Sequence, residues 1–328
     1  MKVLMPTIFY PHIGGITIHV ENIIKRLKDI EFHILTYDYY EPKYNNVVIH
    51  QVPHLKRMRG LTYLINAIRI GKEILKKEDI DLIHSHYAFP QGCVGSYLRK
   101  YCPHILTLHG SDVLFLRKSF LGRLFFNYSL RGADKIICVS KYLASQIDRE
   151  SVVIYNGVDE GKNLGDHGFG LYVGSFVKQK GLDLLLKAIE GIDFKFKIIG
   201  GLGKNRENIE YLGKLSHEET LKYMGMCSFL VVPSRVEGFG IVALEAMACE
   251  KPVIAMNTGG LREIVINGYN GFLVNDVKEM REKIKLLIED EDLRKELGRN
   301  AKKFSKKFSW EKTVKKVREV YEEILWKD

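Results

Sequence analysis

Long apolar runs are missing from this chain of 328 residues. No stretch approaches the ~20 residues that a membrane-spanning helix needs. The opening Met1-Lys2-Val3-Leu4-Met5-Pro6 is too short and too soon interrupted for a signal peptide. A cytoplasmic protein is therefore expected. Cysteine is sparse: Cys93, Cys102, Cys138, Cys227 and Cys249 form no Cys-x-x-Cys pair, and most sit in apolar runs. That pattern argues against a disulfide framework and a thiolate metal site, and for buried reduced thiols. Glutamine is scarce while Lys, Glu and Ile are abundant, a bias seen in proteins from hot environments. Internal repeats and low-complexity tracts are also lacking.

What is present is apolar content, at 46%, over a length that suits two domains better than one core. Lys and Arg number 50 against 40 Asp and Glu, a formal charge of +10. Such an excess suits anionic partners: nucleotides, phospholipid surfaces or nucleic acid. Nucleic acid is the weakest of these, because the basic residues are scattered and no aromatic platform interleaves them.

Short β-branched runs alternate with helical patterns from end to end. Strands are expected at 2–5, 32–36, 47–52, 82–84, 104–108, 135–139 and 152–155, with helices such as 17–28, 61–77, 121–131 and 141–147 between them. A second alternation has strands at 171–173, 195–199, 229–232 and 253–256. Strand, helix, strand in this rhythm predicts parallel sheets with helices on both faces. The pattern divides the chain into a first domain over 1–160, a Gly- and Asp-rich linker over 161–170 and a second domain over 171–309. An amphipathic helix follows at 310–328 and is expected to pack back on the first domain. Two doubly wound α/β domains facing a central cleft bind ligands at the carboxyl ends of their strands.

The segment Val231-Val232-Pro233-Ser234-Arg235-Val236-Glu237-Gly238-Phe239-Gly240 leaves a strand, turns through two glycines and enters a helix. Glycines allow close approach of a ligand, and backbone N–H groups at a helix start can hold phosphate. Glu237 lies in the turn and Glu245 about two helical turns beyond it. A carboxylate accepts hydrogen bonds from the paired hydroxyls of a ribose or hexose. Two solvated helix glutamates would explain an isolated pair. Here the pair brackets a Gly-Phe-Gly turn after a buried strand, and Ile241, Val242, Leu244 and Met247 fix the inner face of the helix.

These residues, Glu237-Gly-Phe-Gly-Ile-Val-Ala-Leu-Glu245-Ala-Met-Ala, resemble the E-x7-E motif of the retaining glycosyltransferases of family 4, which have the two-domain GT-B fold. Lys251-Pro252-Val253-Ile254-Ala255, Thr258-Gly259-Gly260-Leu261-Arg262-Glu263 and Asn267 to Val274 continue the resemblance, which covers nearly the whole chain. It implies that Glu237 contacts donor-sugar hydroxyls, that Glu245 contacts the ribose and that amides near Gly238, Phe239 and Gly240 help hold the donor.

Val173-Gly174-Ser175-Phe176-Val177-Lys178-Gln179-Lys180-Gly181 opens the second domain. A strand, a glycine turn and a lysine at a helix start suit a diphosphate. Lys180 matches the family lysine, whereas Ser175 stands where the family has Arg, so one phosphate contact departs from the pattern. An ordinary solvated helix start is the plain alternative for Lys180. Gly14-Gly15, after the first strand, permits close approach to phosphate or sugar, or is a simple tight turn. Its similarity to the family's first glycine-rich loop favours the former. Tyr211 to His217, with Leu215, resembles the region that holds the base through main-chain contacts. It shows no acidic reader of guanine, which favours uridine. Gly201-x-Gly203 would need a third glycine at 206, where Arg206 stands, so a nicotinamide site is excluded.

Thr107-Leu108-His109-Gly110-Ser111-Asp112 ends a strand of the first domain. A packing histidine is the plain reading of His109, and the resemblance instead implies a functional His near the donor's anomeric carbon. His84 and His86, one residue apart on a strand, are expected to face opposite sides, which argues against a joint metal site. Asp79-x-Asp81 and Asp290-x-Asp292 read as solvated, so no metal and no cofactor are called for. No Ser-His-Asp or paired-acid hydrolase arrangement emerges. The resemblance implies front-face displacement, in which the protein positions reactants and stabilises charge through His109, Lys180 and Glu237.

Two basic-apolar segments suit contact with an anionic lipid surface or a lipid-linked acceptor: 56–77, and 117–126. Core-packing helices with solvated basic faces are the plain alternative. The reading is thus a metal-independent hexosyltransferase that takes a sugar from a nucleoside-diphosphate sugar, preferably uridine-based, to a glycan or lipid-linked hydroxyl. A nucleotide-sugar epimerase and a non-catalytic sugar-nucleotide binder stay open.

Overall fold

A computed structural model describes residues 1–12 and 14–326. They form two compact units, one of residues 1–157 with the C-terminal segment from Trp310, the other Val158–Ser309.

The first unit is a seven-stranded parallel sheet: β1 (Lys2–Pro6), β2 (Glu31–Thr36), β3 (Val47–Gln51), β4 (Leu82–His86), β5 (His104–Leu108), β6 (Lys135–Cys138) and β7 (Val152–Val153). Their spatial order is β3-β2-β1-β4-β5-β6-β7. The second is a six-stranded parallel sheet of β8 (Phe169–Val173), β9 (Lys195–Ile199), β10 (Ile209–Gly213), β11 (Phe229–Val232), β12 (Val253–Met256) and β13 (Gly271–Val274). Its order, β10-β9-β8-β11-β12-β13, repeats that of the first six strands of the other unit. Chain direction across the sheet reverses between β1 and β4, and again between β8 and β11. At such a switch point the loops after the two strands part and leave a crevice at their carboxyl ends.

Strands covered on both faces should be apolar throughout, and β11 is buried along its whole length as Phe-Leu-Val-Val. β4 and β5 are also buried at every position, yet they carry His84, Ser85, His86, His104 and Thr107. β10 and β13, the two edge strands of the second unit, are additional to the strands read from sequence. Each is short and runs straight out of a polar loop, so neither shows a bounded β pattern.

Helices cover both faces of the first sheet. Gly15–Arg26 and the final helix Trp310–Leu325 share one core, where Val20, Ile23 and Ile24 meet Val314, Val317, Val320 and Tyr321. Helices Arg59–Lys77 and Cys93–Leu98 share a second core through Tyr63, Ala67, Val94 and Leu98. The last helix is fastened polarly as well: the Tyr321 hydroxyl lies 2.6 Å from His84 Nδ1, and Thr313 Oγ1 donates to the Tyr155 carbonyl at 2.8 Å. Residues 327 and 328, the end of that expected helix, lie outside the described residues.

Residues 161–170, read from sequence as a linker, lie against the second unit. Lys251 Nζ donates to Asn163 Oδ1 at 3.0 Å and to the Gly165 carbonyl at 2.7 Å, and Arg294 pairs with Asp166 at 2.9 Å. A Gly- and Asp-rich stretch lacks an apolar period, but its polar groups can still be held by charged partners that are remote in sequence.

Candidate functional site

In the second unit, two loops meet at the carboxyl ends of β8 and β11. One runs from Gly174 to Gly181, the other from Pro233 to Gly240. Gly181 has φ +70°, and a Cβ there would lie 1.9 Å from the Pro233 carbonyl oxygen. Only glycine allows both that backbone region and that approach. Arg235 clamps the same junction: its N–H donates to the Gln179 carbonyl at 2.8 Å, and its guanidinium to the Lys178 carbonyl at 2.7 Å. The guanidinium also makes a two-pronged pair with Asp183, each contact 2.7 Å. The clamp brings Lys180 to Glu237: Nζ lies 2.7 Å from Oε2, and Ser234 Oγ donates to the same oxygen at 3.3 Å. The glutamate's backbone is fixed too, because its carbonyl accepts from the Gly260 N–H at 3.0 Å.

Glu245 lies on the helix Ile241–Ala248 and is buried at 5% exposure. Its Oε1 is 2.7 Å from His217 Nε2. His217 begins the helix His217–Met226, which Ser216 and Glu219 cap reciprocally. Nothing beside His217 along the chain assigns it a task. Its link to a glutamate 28 residues away has no signature along the chain. The remaining residues expected near a donor lie in the same unit. Gly238, Phe239 and Gly240 are buried, Leu215 is half-buried in the turn after β10, and Ser175 is exposed after β8.

In the first unit, Gly14 and Gly15 are exposed at the start of the helix that carries His19. A Cβ on either would meet nothing within 4 Å. Packing therefore does not demand glycine at these two positions. His109 follows β5 and lies beside His86, with His109 Nε2 3.1 Å from His86 Nδ1. His19 completes the cluster, its ring centroid 5.0 Å from that of His109. Asn156 Oδ1, an acceptor, sits 2.7 Å from His19 Nδ1, which places the His19 proton there and leaves Nε2 bare. His19 Nε2 and His86 Nε2 are both buried without a partner. A proton on His86 Nδ1 avoids burying an unpaired N–H, so His109 accepts at Nε2 and carries its own proton at Nδ1. Burial lowers His19 to about 4 and holds His84, His86 and His109 well below the ordinary histidine value, so all four are neutral near pH 7.

Asp112 organises the turn around His109. Its buried carboxylate accepts from the N–H groups of Gly110 at 2.8 Å, Val113 at 3.0 Å, and His109 and Ala88 at 3.3 Å. Burial pushes it up to about 6, against those donors, which favour the anion. Neither His19 nor Asp112 is marked as functional by its own neighbours in sequence; tertiary packing brings His19 to His109, whereas Asp112 reaches it within a single turn of the chain.

The structure corrects one expectation about the histidines. His84 and His86 share a face of β4, with ring centroids 4.1 Å apart. Side chains alternate along a strand with a period of two, so positions i and i+2 point the same way. His84 is nonetheless engaged elsewhere, by the Tyr321 hydroxyl and by Thr107 Oγ1 at 2.7 Å. Among the described residues, two clusters have metal-ligand spacing. One is His19, His86 and His109, whose neutral imidazoles suit a divalent ion. The other is Glu31, His33 and Glu78, but Lys2 Nζ already lies 2.6 Å from Glu78 and 3.4 Å from Glu31.

Comparison with known proteins places both units in one context. The family model "Glycosyltransferase Family 4" matches residues 13–162, and "Glycosyl transferases group 1" matches residues 160–304. A protein of Methanocaldococcus jannaschii, named an uncharacterized glycosyltransferase, is 60% identical over 99% of each chain. Among solved structures, the sucrose-phosphate synthase of Thermosynechococcus elongatus superposes with a TM-score of 0.87 at 22% identity over 98% of each chain. HepE of Anabaena, solved with UDP-glucose, gives 0.79 at 20% identity over 98% of this chain and 99% of its own.

Proposed function

This chain belongs to glycosyltransferase family 4 and is a glycosyltransferase of the GT-B fold, and we propose that it transfers a sugar from a UDP-sugar to a hydroxyl of a glycan or lipid-linked acceptor, with retention at the anomeric carbon. The observation that carries this reading is the Lys180–Glu237 pair at the switch point of the second sheet. A lysine is a point charge for a diphosphate, and a glutamate accepts from sugar hydroxyls. The neighbour solved with UDP-glucose supports a uridine donor.

In this mechanism Lys180 binds the diphosphate and offsets the charge that develops as it leaves. Glu237 orients the sugar through its hydroxyls. Glu245, held by His217, receives the ribose. His109 donates from Nδ1 to a sugar hydroxyl near the anomeric carbon. The diphosphate itself takes the proton of the acceptor hydroxyl on the same face, which gives retention without a covalent intermediate. The protein contributes position and preorganised charge. No divalent ion is needed; the three-histidine cluster would be its seat if one were. Ser175 replaces one phosphate cation, and Arg235 does not substitute for it, because its guanidinium is committed to Asp183.

A donor panel tests the reading. UDP-, GDP- and ADP-sugars are added to protein dialysed against EDTA, and thermal stabilisation and nucleotide release are measured. A bound donor raises apparent stability by mass action. UDP-sugars are expected to stabilise most. If no sugar nucleotide stabilises the protein, the reading fails; if only metal-reloaded protein releases nucleotide, its metal-independence fails.

A further inference from the structure

Three histidines remote in sequence converge at the carboxyl end of the first sheet. His86 closes β4, His109 follows β5, and His19 sits on the helix Gly15–Arg26 that follows β1. Each offers one ring nitrogen, and the three nitrogens lie within 4.8 Å of one another. The ring centroids form a nearly equilateral triangle with sides of 5.0, 5.3 and 5.4 Å. A tetrahedral ion about 2.1 Å from three imidazole nitrogens sets their ring centres about 5.3 Å apart. Ring packing alone would satisfy the spacing but gives the nitrogens no reason to converge.

His19 supplies a second, independent sign of a ligand. It is fully buried, at 0% exposure, and its Nε2 has no partner. A buried polar atom without a partner is costly, and a ligand that takes its lone pair removes the cost. The outer shell of this ring is already built, because Nδ1 donates to Asn156 Oδ1 at 2.7 Å. Ligating histidines are commonly held by such an acceptor on the far nitrogen. His86 Nδ1 and His109 Nε2, 3.1 Å apart, share one proton. An ion in its place takes both lone pairs while the His86 proton moves to Nε2, so one unpaired N–H is set against three ion–nitrogen bonds. Burial keeps the three rings neutral near pH 7, the form that ligates. His109, the half-buried member, marks the side on which an ion enters. Imidazole selects zinc, cobalt, nickel or copper, whereas magnesium and calcium take oxygen ligands.

We propose that His19, His86 and His109 form a site for a zinc-class divalent ion, with a fourth position open to water. The transfer does not call on this site: His109 ligates through Nε2 and keeps its Nδ1 proton for the sugar hydroxyl. The inference stands apart from the sugar-transfer reading, since ion uptake is measured without sugar nucleotide.

Titration of the untagged, EDTA-dialysed full chain with cobalt(II), followed by displacement with zinc(II), tests it. About one cobalt per chain is expected, with the intense visible bands of tetrahedral cobalt. No near-ultraviolet thiolate band should appear, although free cysteines are present. Zinc should bleach the spectrum and raise the melting temperature, and magnesium should do neither. His19→Ala is expected to weaken zinc binding by about a hundredfold or more, and Asn156→Ala by about tenfold through the outer shell. Glu78→Gln, in the other cluster of metal-ligand spacing, should bind as the parent does. Circular dichroism checks that each variant is folded, and the cobalt spectrum of the parent decides the matter without any variant. Pale octahedral cobalt, a thiolate band or no uptake by the parent would overturn the proposal. So would unchanged affinity in folded His19→Ala, or loss of uptake in Glu78→Gln.

Discussion

Lys180 and Glu237, 57 residues apart in sequence, meet with Nζ 2.7 Å from Oε2. The pair is half-open, with the lysine side chain 35% and the glutamate 15% exposed. Each charge is thus placed and partnered by the other before any ligand arrives. A donor that engages both trades this ion pair for a phosphate contact and a hydroxyl contact. Exposed pairs of this kind contribute little to stability, about 0–1 kcal/mol. Glu237→Ala should therefore leave the melting temperature nearly unchanged and weaken sugar-nucleotide binding by more than about tenfold, as expected for the loss of a charged hydrogen bond of roughly 1.5–3 kcal/mol. UDP without a sugar should lose much less affinity. Equal losses for UDP and UDP-sugar would move Glu237 from the sugar to the nucleotide.

Two kinds of glycine border the candidate site, and they should respond oppositely to alanine. Gly181→Ala meets the Pro233 carbonyl and a left-handed φ together, so it is expected to lower stability by at least ~1–3 kcal/mol. Gly14→Ala and Gly15→Ala meet nothing, so their melting temperatures should match the parent. If those glycines admit a phosphate or sugar, both variants should still lose turnover in the donor assay. Full activity in both would remove them from the site.

Glu245 is buried and is held by His217. His217→Ala leaves that carboxylate without this partner, a cost of roughly 1–3 kcal/mol. His217→Gln, which can still donate, should recover part of the loss. Urea titration of the three proteins checks this, and equal midpoints for Ala and Gln would show that the hydrogen bond is not what matters.

The histidines make stability depend on pH. His19, His50 and His104 fall to about 4, and His84, His86 and His109 also lie well below the ordinary value of 6.5, in each case chiefly through burial. Between about pH 6.5 and 4 the unfolded chain binds protons that the folded chain refuses, so folding stability drops as pH falls through that window. Asp112, raised to about 6 from 3.8, works the other way, because the folded protein holds its proton more tightly there. This one carboxyl opposes six imidazoles, and the net effect is loss. Each imidazole contributes up to about 1.4 kcal/mol per pH unit within the window. Urea midpoints should be flat from about pH 7 to 8 and fall steeply below about pH 6. A midpoint that holds constant down to about pH 5 would mean that these rings take up protons in the folded protein.

Tyr321→Phe tests how the last helix is attached. The hydroxyl lies 2.6 Å from His84 Nδ1, in a buried setting. Its removal leaves that ring nitrogen unpaired, at a cost of about 1–3 kcal/mol, while the aromatic packing stays. Thermal denaturation that shows no shift would make the contact dispensable.

Much of the fold was legible along the chain because it rests on local chemistry. The period of apolar residues marks strands and helices, and their alternation implies parallel sheets. Edge strands β10 and β13 escaped because each is short and runs straight out of a polar loop. Glu237, Glu245 and Lys180 stood out because glycines and a strand end frame each of them. Arg235, which locks the lysine loop, stood inside the same motif without drawing notice, since nothing local announces a partner at Asp183. His19 and Asn156 are separated by 137 positions, and only the sheet order brings them together.

The sequence by itself determined the element types, the two-domain α/β class and the glycine-framed positions of Lys180 and Glu237. Those are short-range matters of side-chain type, backbone freedom and spacing. Tertiary structure decided which of these groups touch: Lys180 on Glu237, His217 on Glu245, His86 on His109 and Tyr321 on His84. It also settled which histidines share a face. Contact, burial and the titration they govern depend on distances between segments remote along the chain, and strand order fixes those distances.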